Sequence, residues 1–424
     1  MQIFPNKSFH LSSTSIMVAI LAIAVLLRCA PIVFAEFKEP GWHEKNVNEI
    51  EFYYDDVARS LIAGKGFVHS VNPNKHTQFK FDPGTPFNFV PPLYAWYIFL
   101  IYKIFGPSVF VAKIFTAIMD ALVCLMIYLI GKKLFKNDHI SLLGAGLYAV
   151  YPLSIVMTGV LYYQIPMNIL LCWLLICLIA PMTIRNGAWT GVALGLSALA
   201  KPVTLPLLLI LPFLKAIECF VSGNTIRTFF KWTLPFIVTT LAVLTPWTIR
   251  NYVVFNEFIP VQRGGPEAFF QGSKIEYIDS DVDTLRKKYK DDFQVKNKTQ
   301  KAVENHLDLL KREPLSYASF LGKKFALAWY NTESKIKNNI SFLIQIPFLI
   351  FATIGTFAGI RFWSSIKKIY LHLLIFFIVG IQVIIFPLMR YTLVIMPLIM
   401  ILASVGIFYI FSMRSGKNFT ENNL

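Results

Sequence analysis

Long apolar stretches alternate with short polar segments along most of this 424-residue chain. Apolar runs of about 18 residues or more recur, and each is long enough to cross a hydrocarbon core of roughly 30 Å. Lipid offers the backbone no hydrogen-bond partners, so these runs are predicted to be helices. The pattern therefore predicts an all-α polytopic membrane protein with about ten transmembrane helices.

The predicted spans follow one another along the chain. They cover residues 12–34, 109–130, 140–157, 159–181, 232–249, 340–360, 370–387 and 392–411. Two more short helices form a hairpin over residues 187–215, broken at Lys201-Pro202 because proline cannot continue the helical hydrogen-bond ladder. With this count nearly every Lys and Arg cluster between spans falls inside, as the positive-inside rule requires, and both chain ends lie inside.

Two polar regions lie outside in this topology. The first, residues 36–107, ends in PPLYAWYIFLIYKIFG, whose apolar part is too short for a span and predicts a juxtamembrane or re-entrant helix. The second and larger region covers residues 252–339. No internal repeat is visible in the sequence.

Composition excludes several classes of protein. With 55% hydrophobic and 15% charged residues, the chain is not a soluble globular protein. Its net charge of +16 comes largely from basic residues beside apolar runs, so the predicted partner is the lipid bilayer and not nucleic acid. The five cysteines form no CxxC pair, which indicates neither a disulfide framework nor a zinc site. No cofactor is predicted, and the sequence leaves a divalent metal open.

An acidic stretch, NEIEFYYDDVARSLIAGKGF, begins at Asn48 in the first outer region. Apolar positions at helical spacing predict an amphipathic helix over residues 48–63 that lies on the outer membrane surface with its carboxylates at the water boundary. A structural interpretation is open, because Asn48 and Glu51 have the spacing of a capping box and Asp55 and Arg59 that of a surface ion pair. A catalytic interpretation of the same carboxylates is also open.

Ionisable residues inside the predicted spans are costly and default to functional hypotheses. Four cations map to the outer halves of their spans: Arg28, Lys201, Arg250 and Arg390. Arg250 and Arg390 have interfacial anchoring as an alternative, whereas Asp120, in mid-span, predicts a helix–helix contact. Acids beside cations at a lipid boundary suit transfer chemistry on a phosphorylated lipid, because cations stabilise a phosphate leaving group and a carboxylate takes the acceptor proton.

Five motifs carry a resemblance to a known family. They are, in order, YDDVARSLIAGKGF, PPLYAWYIFLIYKIFG, GLSALAKP, PWTIRNYVVFNEFIPV with the following GGPEAFFQGS, and RYTLVIMP. Their order and spacing resemble those of the C-type, polyprenol-phosphate-dependent glycosyltransferases. That family includes protein O-mannosyltransferases, lipid A aminoarabinose transferases and bacterial transferases that decorate lipopolysaccharide cores. The likeness covers nearly the whole chain.

The resemblance implies an inverting transfer of sugar from a polyprenyl-phosphate donor to a lipid, glycan or protein acceptor. It places the reaction at the outer, periplasmic face of the plasma membrane, here a bacterial inner membrane. The chain then divides into a transmembrane catalytic region over residues 1–251, which includes the first outer loop 36–107, an outer loop region over 252–339, and C-terminal transmembrane helices over 340–424.

The resemblance also implies roles for individual residues. Glu51 is the first candidate for the catalytic base, Glu49 the second and Asp55 the third, since the acid usual in the family, four residues before Tyr54, is here Ile50. The predicted donor-phosphate ligands, which we expect in one outward pocket, are Lys201, Arg250 and Arg390, with Arg28 as a fourth. Lys201 occupies a position at which the family motif has arginine. The predicted substrate-binding residues are Arg59, Tyr54, Gln164, Asn251 and Tyr391; Gln164 stands where many relatives have a glutamate.

Two other classes of function compete with the enzyme. One is a transporter or flippase for polysaccharide or lipid-linked sugar, and the other is a non-catalytic partner in surface-glycan assembly. Transporters usually show repeated halves and sites at the membrane midplane, and neither feature is visible in this sequence. The enzyme is therefore the leading hypothesis.

Overall fold

The computed structural model describes residues 12–69, 84–276, 297–332, 334–360 and 367–414, without the side chains of residues 49, 50, 335, 359 and 360. Within these ranges the regular secondary structure is helical apart from one isolated antiparallel bridge between Val68 and Pro86. The predicted all-α architecture is therefore confirmed for the described part of the chain.

The helices are numbered here in chain order. The first ten are α1 (Ser13–Lys38), α2 (Trp42–Lys45), α3 (Glu49–Ile62), α4 (Pro92–Phe105), α5 (Val109–Phe135), α6 (Asp138–Ala149), α7 (Pro152–Met157), α8 (Gln164–Leu178), α9 (Ile184–Ala200) and α10 (Leu207–Val221). The remaining ones are α11 (Ile226–Phe255), α12 (Gly265–Gly272), α13 (Lys298–Arg312), α14 (Pro314–Tyr330), α15 (Lys335–Ile360), α16 (Lys367–Ile384), α17 (Met389–Thr392) and α18 (Met396–Arg414). Short 3-10 turns, Pro202–Thr204 and Leu393–Ile395, precede α10 and α18.

Seven helical segments in the described ranges are long and apolar enough to cross a membrane. They are Ser13–Lys38, Val109–Phe135, Pro202–Val221, Ile226–Phe255, Ile336–Ala358, Lys367–Ile384 and Met389–Arg414. The chain is thus a multi-pass membrane protein. The other predicted spans fall on shorter helices, since α6, α8 and α9 have 12, 15 and 17 residues.

Two of the predicted elements are interrupted at prolines. The span predicted over residues 140–157 is wrong as a single helix, because Tyr151 is extended and Pro152 starts the separate helix α7. The predicted break at Lys201-Pro202 is confirmed, since α9 ends at Ala200 and Lys201 is extended. The short helix predicted from PPLYAWYIFLIYKIFG is confirmed as α4, with 14 residues.

A buried ion pair joins the first helices of the bundle. Arg28 on α1 donates from Nε to Asp120 Oδ2 on α5 at 2.7 Å, and both side chains have 0% exposure. Arg28 also donates to the carbonyls of Tyr148 and Ala149, at 3.0 and 2.8 Å. Asp120 in turn accepts from the hydroxyls of Tyr148 and Ser154, at 2.6 and 2.5 Å. The helix–helix contact predicted for Asp120 is confirmed, and the ion pair ties α1, α5, α6 and α7 together.

A row of glycines lets α9 and α11 approach closely. Gly187, Gly191 and Gly195 lie on one face of α9, and a Cβ at Gly191 would overlap the Phe236 carbonyl oxygen of α11. The two helices are also joined by a hydrogen bond of 3.2 Å from the side-chain hydroxyl of Thr240 to the Gly191 carbonyl. Small residues at helix contacts are typical of membrane proteins, where close packing replaces the hydrophobic driving force.

Replacing Gly191 by alanine is expected to lower thermal stability in detergent. Overpacking costs about 1–3 kcal/mol, which outweighs the gain of about 1 kcal/mol in helix propensity. Gly380→Ala is the matched control, because a Cβ added at Gly380 in α16 would meet no atom of a neighbouring element within 4 Å. Unfolding followed by fluorescence-detected gel filtration measures both. Equal melting temperatures for the two variants would contradict the close approach of α9 and α11.

Removing one member of the Arg28–Asp120 pair should destabilise the fold more than removing both. A buried charge left without its partner costs about 3–5 kcal/mol. We therefore expect Asp120→Leu or Arg28→Met to lower the melting temperature strongly, and Asp120→Leu/Arg28→Met to recover part of the loss. Thermal unfolding in detergent measures this, and additive losses in the double variant would show that the two side chains act independently.

Candidate functional site

A cavity of about 480 Å³ lies where the break after α9 meets α12, α16 and α17. One part of its wall is apolar, formed by Val203 and Pro206 together with Ile378 and Ile381 of α16. Gln262, Gly264 and Thr299 belong to its lining as well. A concave, mostly apolar site with a few polar groups is the usual form of a ligand-binding pocket.

Lys201 is a cation in the lining of this cavity. Its Nζ lies 4.8 Å from the ring centroid of Tyr163 and 4.8 Å from that of Tyr391, and both tyrosines also line the cavity. Aromatic faces attract a cation without neutralising it. Within the described ranges no carboxylate forms an ion pair with Lys201, so its charge is available to an anionic ligand.

The short helix α17 carries Arg390 and Tyr391 beside Lys201. The Arg390 guanidinium carbon lies 5.3 Å from the Tyr391 ring centroid and 5.8 Å from that of Tyr162. Two buried amides hold the backbone here: Gln164 donates to the Arg390 carbonyl, and Gln382 donates to the Tyr391 carbonyl at 2.5 Å. The structure thus brings Lys201, Arg390, Tyr391 and Gln164 together.

A chain of tyrosines connects the cavity with the acidic helix α3. Tyr54, which is buried, packs edge-on against Tyr94 and Tyr162, with ring centroids 5.1 and 6.2 Å apart. Tyr162 contacts Tyr163 with centroids 4.4 Å apart. Tyr54, a predicted substrate-binding residue, therefore contacts the cavity wall through Tyr162.

Glu51 is enclosed by partners on three segments. The backbone N and Nδ2 of Asn48 donate to Glu51 Oε2 at 3.1 and 2.7 Å, and Glu51 N donates to Asn48 Oδ1 at 3.1 Å, which confirms the capping box. The other oxygen, Oε1, lies 2.8 Å from Lys113 Nζ and accepts from Leu161 N at 2.9 Å. With 1% exposure, Glu51 does not lie at a water boundary, and that expectation is wrong for this residue.

The other described carboxylates of α3 are also buried and paired. Asp55 accepts from Arg59 Nε at 2.9 Å, as the ion-pair interpretation predicted, and from the Tyr102 hydroxyl at 2.5 Å. Asp56 Oδ2 lies 2.9 Å from His69 Nδ1. Helix α3 is therefore packed inside the protein, and its predicted position as a surface helix is wrong because α4, α5 and the loop around residue 161 cover its carboxylates. The side chain of Glu49 lies outside the described residues.

Arg250 and Asn251 bind backbone carbonyls. Arg250 donates to the carbonyls of Phe67 and Phe87, at 2.9 and 3.2 Å, and to Asn251 Oδ1 at 3.1 Å. Asn251 Nδ2 donates to the Val261 carbonyl at 3.2 Å. Both residues hold loops in place, and neither is in the lining of the cavity.

The predicted phosphate ligands thus fall into two groups. Lys201 lines the cavity and Arg390 is adjacent to it. In contrast, Arg28 is buried against Asp120, and Arg250 binds the backbone carbonyls of Phe67 and Phe87. We expected Lys201, Arg250 and Arg390 to line a single pocket. Lys201 is in the lining of this cavity, whereas Arg250 and Arg390 are not. Their functional roles stay predictions.

Sequence reasoning missed Lys113 and the tyrosine pair at residues 162 and 163. Lys113 is an ionisable residue in an apolar run, which is the same signal that singled out Lys201. Tyr162 and Tyr163 directly precede Gln164 in GVLYYQIP, so the neighbouring segment was already of interest. In the described part of the chain, no group of three or more His, Cys, Asp or Glu side chains is arranged to hold a metal ion.

Comparison with known proteins gives a family match over part of the chain and a similar fold. The profile of the dolichyl-phosphate-mannose-protein mannosyltransferase family matches residues 90–249. No curated protein matches the chain. The archaeal oligosaccharyltransferase AglB from Archaeoglobus fulgidus, in complex with an inhibitory peptide and a dolichol-phosphate, is similar with a TM-score of 0.58 and 14% identity.

That similarity covers 95% of this chain and 51% of AglB, so the chain spans about half the length of this neighbour. A second structure of the Archaeoglobus fulgidus enzyme, a complex with Zn and sulfate, gives a TM-score of 0.56 at 13% identity, covering 95% of this chain and 50% of that one. ArnT from Cupriavidus metallidurans, bound to undecaprenyl phosphate, is 12% identical with a TM-score of 0.43, covering 95% of this chain and 78% of ArnT. The predicted resemblance is therefore confirmed: residues 90–249 match the model of the mannosyltransferase family, and the chain shares its fold with the archaeal oligosaccharyltransferase.

Proposed function

We propose that this protein is a membrane glycosyltransferase that moves a sugar from a polyprenyl-phosphate donor to a lipid, glycan or protein acceptor. The observation that carries the proposal is Lys201, held between Tyr163 and Tyr391 in an apolar cavity. The matching family is named for dolichyl-phosphate-mannose, and the AglB neighbour was determined with a dolichol-phosphate. Both names support a lipid phosphate as the ligand of this cavity.

The chemistry of the cavity suits a lipid that carries one phosphate. Its isoleucine and proline wall can bury the isoprenoid next to the phosphate, where burial of apolar area provides affinity. Lys201 supplies a charge that no described carboxylate neutralises, and Arg390 also lies against the ring of Tyr391. Charge-assisted hydrogen bonds to phosphate are the stronger ones. Lys201 and Arg390 are therefore the proposed ligands of the donor phosphate.

The proposed reaction is a single displacement. A carboxylate removes the proton from the acceptor hydroxyl or amine, whose oxygen or nitrogen attacks the anomeric carbon of the sugar. The bond from that carbon to the phosphate oxygen breaks, and the electron pair leaves with the polyprenyl phosphate. Attack from the face opposite the leaving group inverts the configuration. Lys201 and Arg390 stabilise the charge that develops on the phosphate.

Helix α3 is the proposed source of the base, with Glu51 first, Glu49 second and Asp55 third. Support comes from the contact of Tyr54 on the same helix with Tyr162, next to the cavity residue Tyr163. Glu51 would have to exchange one of its present partners for the acceptor, since both of its oxygens accept hydrogen bonds.

The remaining parts of the proposal concern place and organisation. We place the reaction at the outer face of a bacterial inner membrane. The catalytic region 1–251 would not act alone, since residues of the outer region 252–339 and of the C-terminal region 340–424 also line the cavity. The transporter and flippase alternative is not favoured, because the matching family and the structural neighbours are transferases.

Loss of the Lys201 charge is expected to weaken binding of polyprenyl phosphate, the product common to all donors of this class. A hydrogen bond to a charged group contributes about 1.5–3 kcal/mol, so Lys201→Met should raise the Kd about 10- to 100-fold. Thermal-shift titration of the purified protein with polyprenyl phosphate measures the Kd. Lys103→Met is the control, since Lys103 lies 5.9 Å from the Phe99 ring centroid but outside the cavity lining. A wild-type Kd in Lys201→Met would refute the phosphate site.

Glu51→Gln is expected to abolish the glycan product made by the protein in cells. Loss of a positioned base costs a factor of about 10² to 10⁴, whereas loss of a helix cap costs about 1 kcal/mol of stability. Surface glycolipids and glycoproteins of a deletion strain, complemented with each variant, are compared by mass spectrometry. Glu44→Gln is the control and should retain the product. Glu44 is another carboxylate with a structural contact, since it accepts hydrogen bonds from Ser108 and Val109 at the start of α5, but it is not a candidate base.

Two outcomes would change the assignment of the base. Loss of product in Asp55→Asn or Glu49→Gln, with Glu51→Gln active, would identify another carboxylate of α3. Full activity in all three variants would make the acidic stretch structural and remove the base from the proposal. Gel filtration of each purified variant establishes that a loss of product is not a loss of folded protein.

A further inference from the structure

Arg250, near the C-terminal end of α11, binds the base of the first outer loop. It donates to the Phe67 carbonyl at 2.9 Å and to the Phe87 carbonyl at 3.2 Å. These two residues belong to facing chain segments, since Phe87 N donates to the Phe67 carbonyl at 3.1 Å and Val68 bridges Pro86. One guanidinium therefore fastens both segments of the loop to α11.

Aromatic contacts fix the direction of this side chain. The Arg250 guanidinium carbon lies 5.6, 4.8 and 5.3 Å from the ring centroids of Phe67, Trp247 and Phe255. A planar, forked guanidinium can stack on rings while its fixed donor directions meet two carbonyls, whereas an ammonium is a compact point charge without such a fork. The geometry thus uses properties particular to arginine.

The next residue, Asn251, binds the segment that leads into the cavity wall. We call residues 259–264 the rim segment, because Gln262 and Gly264 line the cavity. Asn251 Nδ2 donates to the Ile259 and Val261 carbonyls at 3.0 and 3.2 Å, and Trp247 Nε1 donates to the Val261 carbonyl at 2.7 Å. Since Arg250 donates to Asn251 Oδ1 at 3.1 Å, the two anchors are joined directly.

The first outer loop and the rim segment also contact each other beside the cavity. Arg263 N donates to the Asn88 carbonyl at 2.9 Å. A Cβ at Gly264 would lie 2.8 Å from the Phe89 carbonyl oxygen, so only glycine permits this approach. The segment around Phe87 is also packed on the acidic helix α3, with the rings of Tyr53 and Phe87 stacked 5.8 Å apart.

We propose that Arg250 is a positioning residue of the transfer reaction, which holds the first outer loop on the rim segment so that α3 and the cavity keep a fixed relative placement. This inference rests on the proposed function. It replaces the direct role in phosphate binding that sequence reasoning assigned to Arg250. A misplacement of reacting groups by about 1 Å can lower the rate about 100-fold. Contacts outside the cavity can therefore control the reaction, and we call the contacts that Arg250 and Asn251 make with the loop and the rim segment the clamp.

The two roles for Arg250 predict different results for the same variants. If Arg250 positions the loop, Arg250→Lys and Arg250→Gln both lose the fork, and each should lower product formation about tenfold or more. Their Kd for polyprenyl phosphate should stay within about threefold of wild type, unlike that of Lys201→Met. If Arg250 binds phosphate, Arg250→Lys should retain product, and Arg250→Gln should raise the Kd as Lys201→Met does.

A second measurement tests the clamp without depending on product formation. Cysteines introduced as Asn88→Cys and Arg263→Cys are joined by a short thiol cross-linker in membranes, and the yield records contact between the loop and the rim segment. We expect the yield to fall in Arg250→Lys and Arg250→Gln and to be unchanged in Lys201→Met. Trp247→Phe, which removes a rim hydrogen bond and no charge, should lower the yield and the product together while leaving the Kd unchanged.

The outcomes separate this inference from the proposed function. A raised Kd with an unchanged cross-linking yield in the Arg250 variants would overturn the positioning role. So would a fallen yield with full product formation, because the clamp would then be irrelevant to the reaction. If wild-type protein neither binds polyprenyl phosphate nor makes product, the proposed function fails, and that result is visible independently of the cross-linking yield.

Discussion

Charges buried in a membrane protein must be compensated, and this constraint organises the described structure. An unpaired ion in a low-dielectric interior costs several kcal/mol, so buried ionisable groups are expected in pairs or networks. The structure pairs them across helices and along them: Arg28 with Asp120, Lys113 with Glu51, and Lys215 with Glu218. Lys324, which has no carboxylate partner in the described ranges, donates to the carbonyls of Gly272, Ile384 and Ile385. Lys201 instead lies between aromatic faces and lines a cavity, with no ion-pair partner among the described carboxylates, which is why it marks the candidate site.

The compensating contacts also determine how the site is assembled. The Lys113–Glu51 pair attaches the start of α3 to α5, and Leu161 N brings the segment before Tyr163 to the same carboxylate. Tyr163 then faces Lys201 in the cavity. A single buried carboxylate thus connects the acidic helix, α5 and the cavity wall, so its structural and proposed catalytic roles share the same contacts.

Features that depend on neighbouring residues were predicted from the sequence. Features that depend on contacts between distant segments were not. The capping box at Asn48 and the helix break at Lys201 follow from neighbouring residues, and both are confirmed. The burial of Glu51 depends on Leu161, 110 residues away, which no periodicity reveals. At Arg250 the pattern shows an ionisable residue at a span end, but it does not tell whether a guanidinium meets a phosphate or the carbonyls of a folded loop. The sequence therefore pointed correctly to Lys201 and Tyr391, which line the cavity, but did not show that Arg250 contacts a loop outside the cavity.

The chemical difference between lysine and arginine fits the different roles proposed for Lys201 and Arg250. A guanidinium has fixed donor directions and suits permanent contacts with two carbonyls, as Arg250 makes. An ammonium is a compact point charge that attracts a phosphate without fixing its orientation. The family motif that GLSALAKP resembles has arginine at the position of Lys201, so this chain lacks directional donors there. If the proposed phosphate binds here, its orientation must come from neighbouring groups, such as the rings of Tyr163 and Tyr391 and the guanidinium of Arg390.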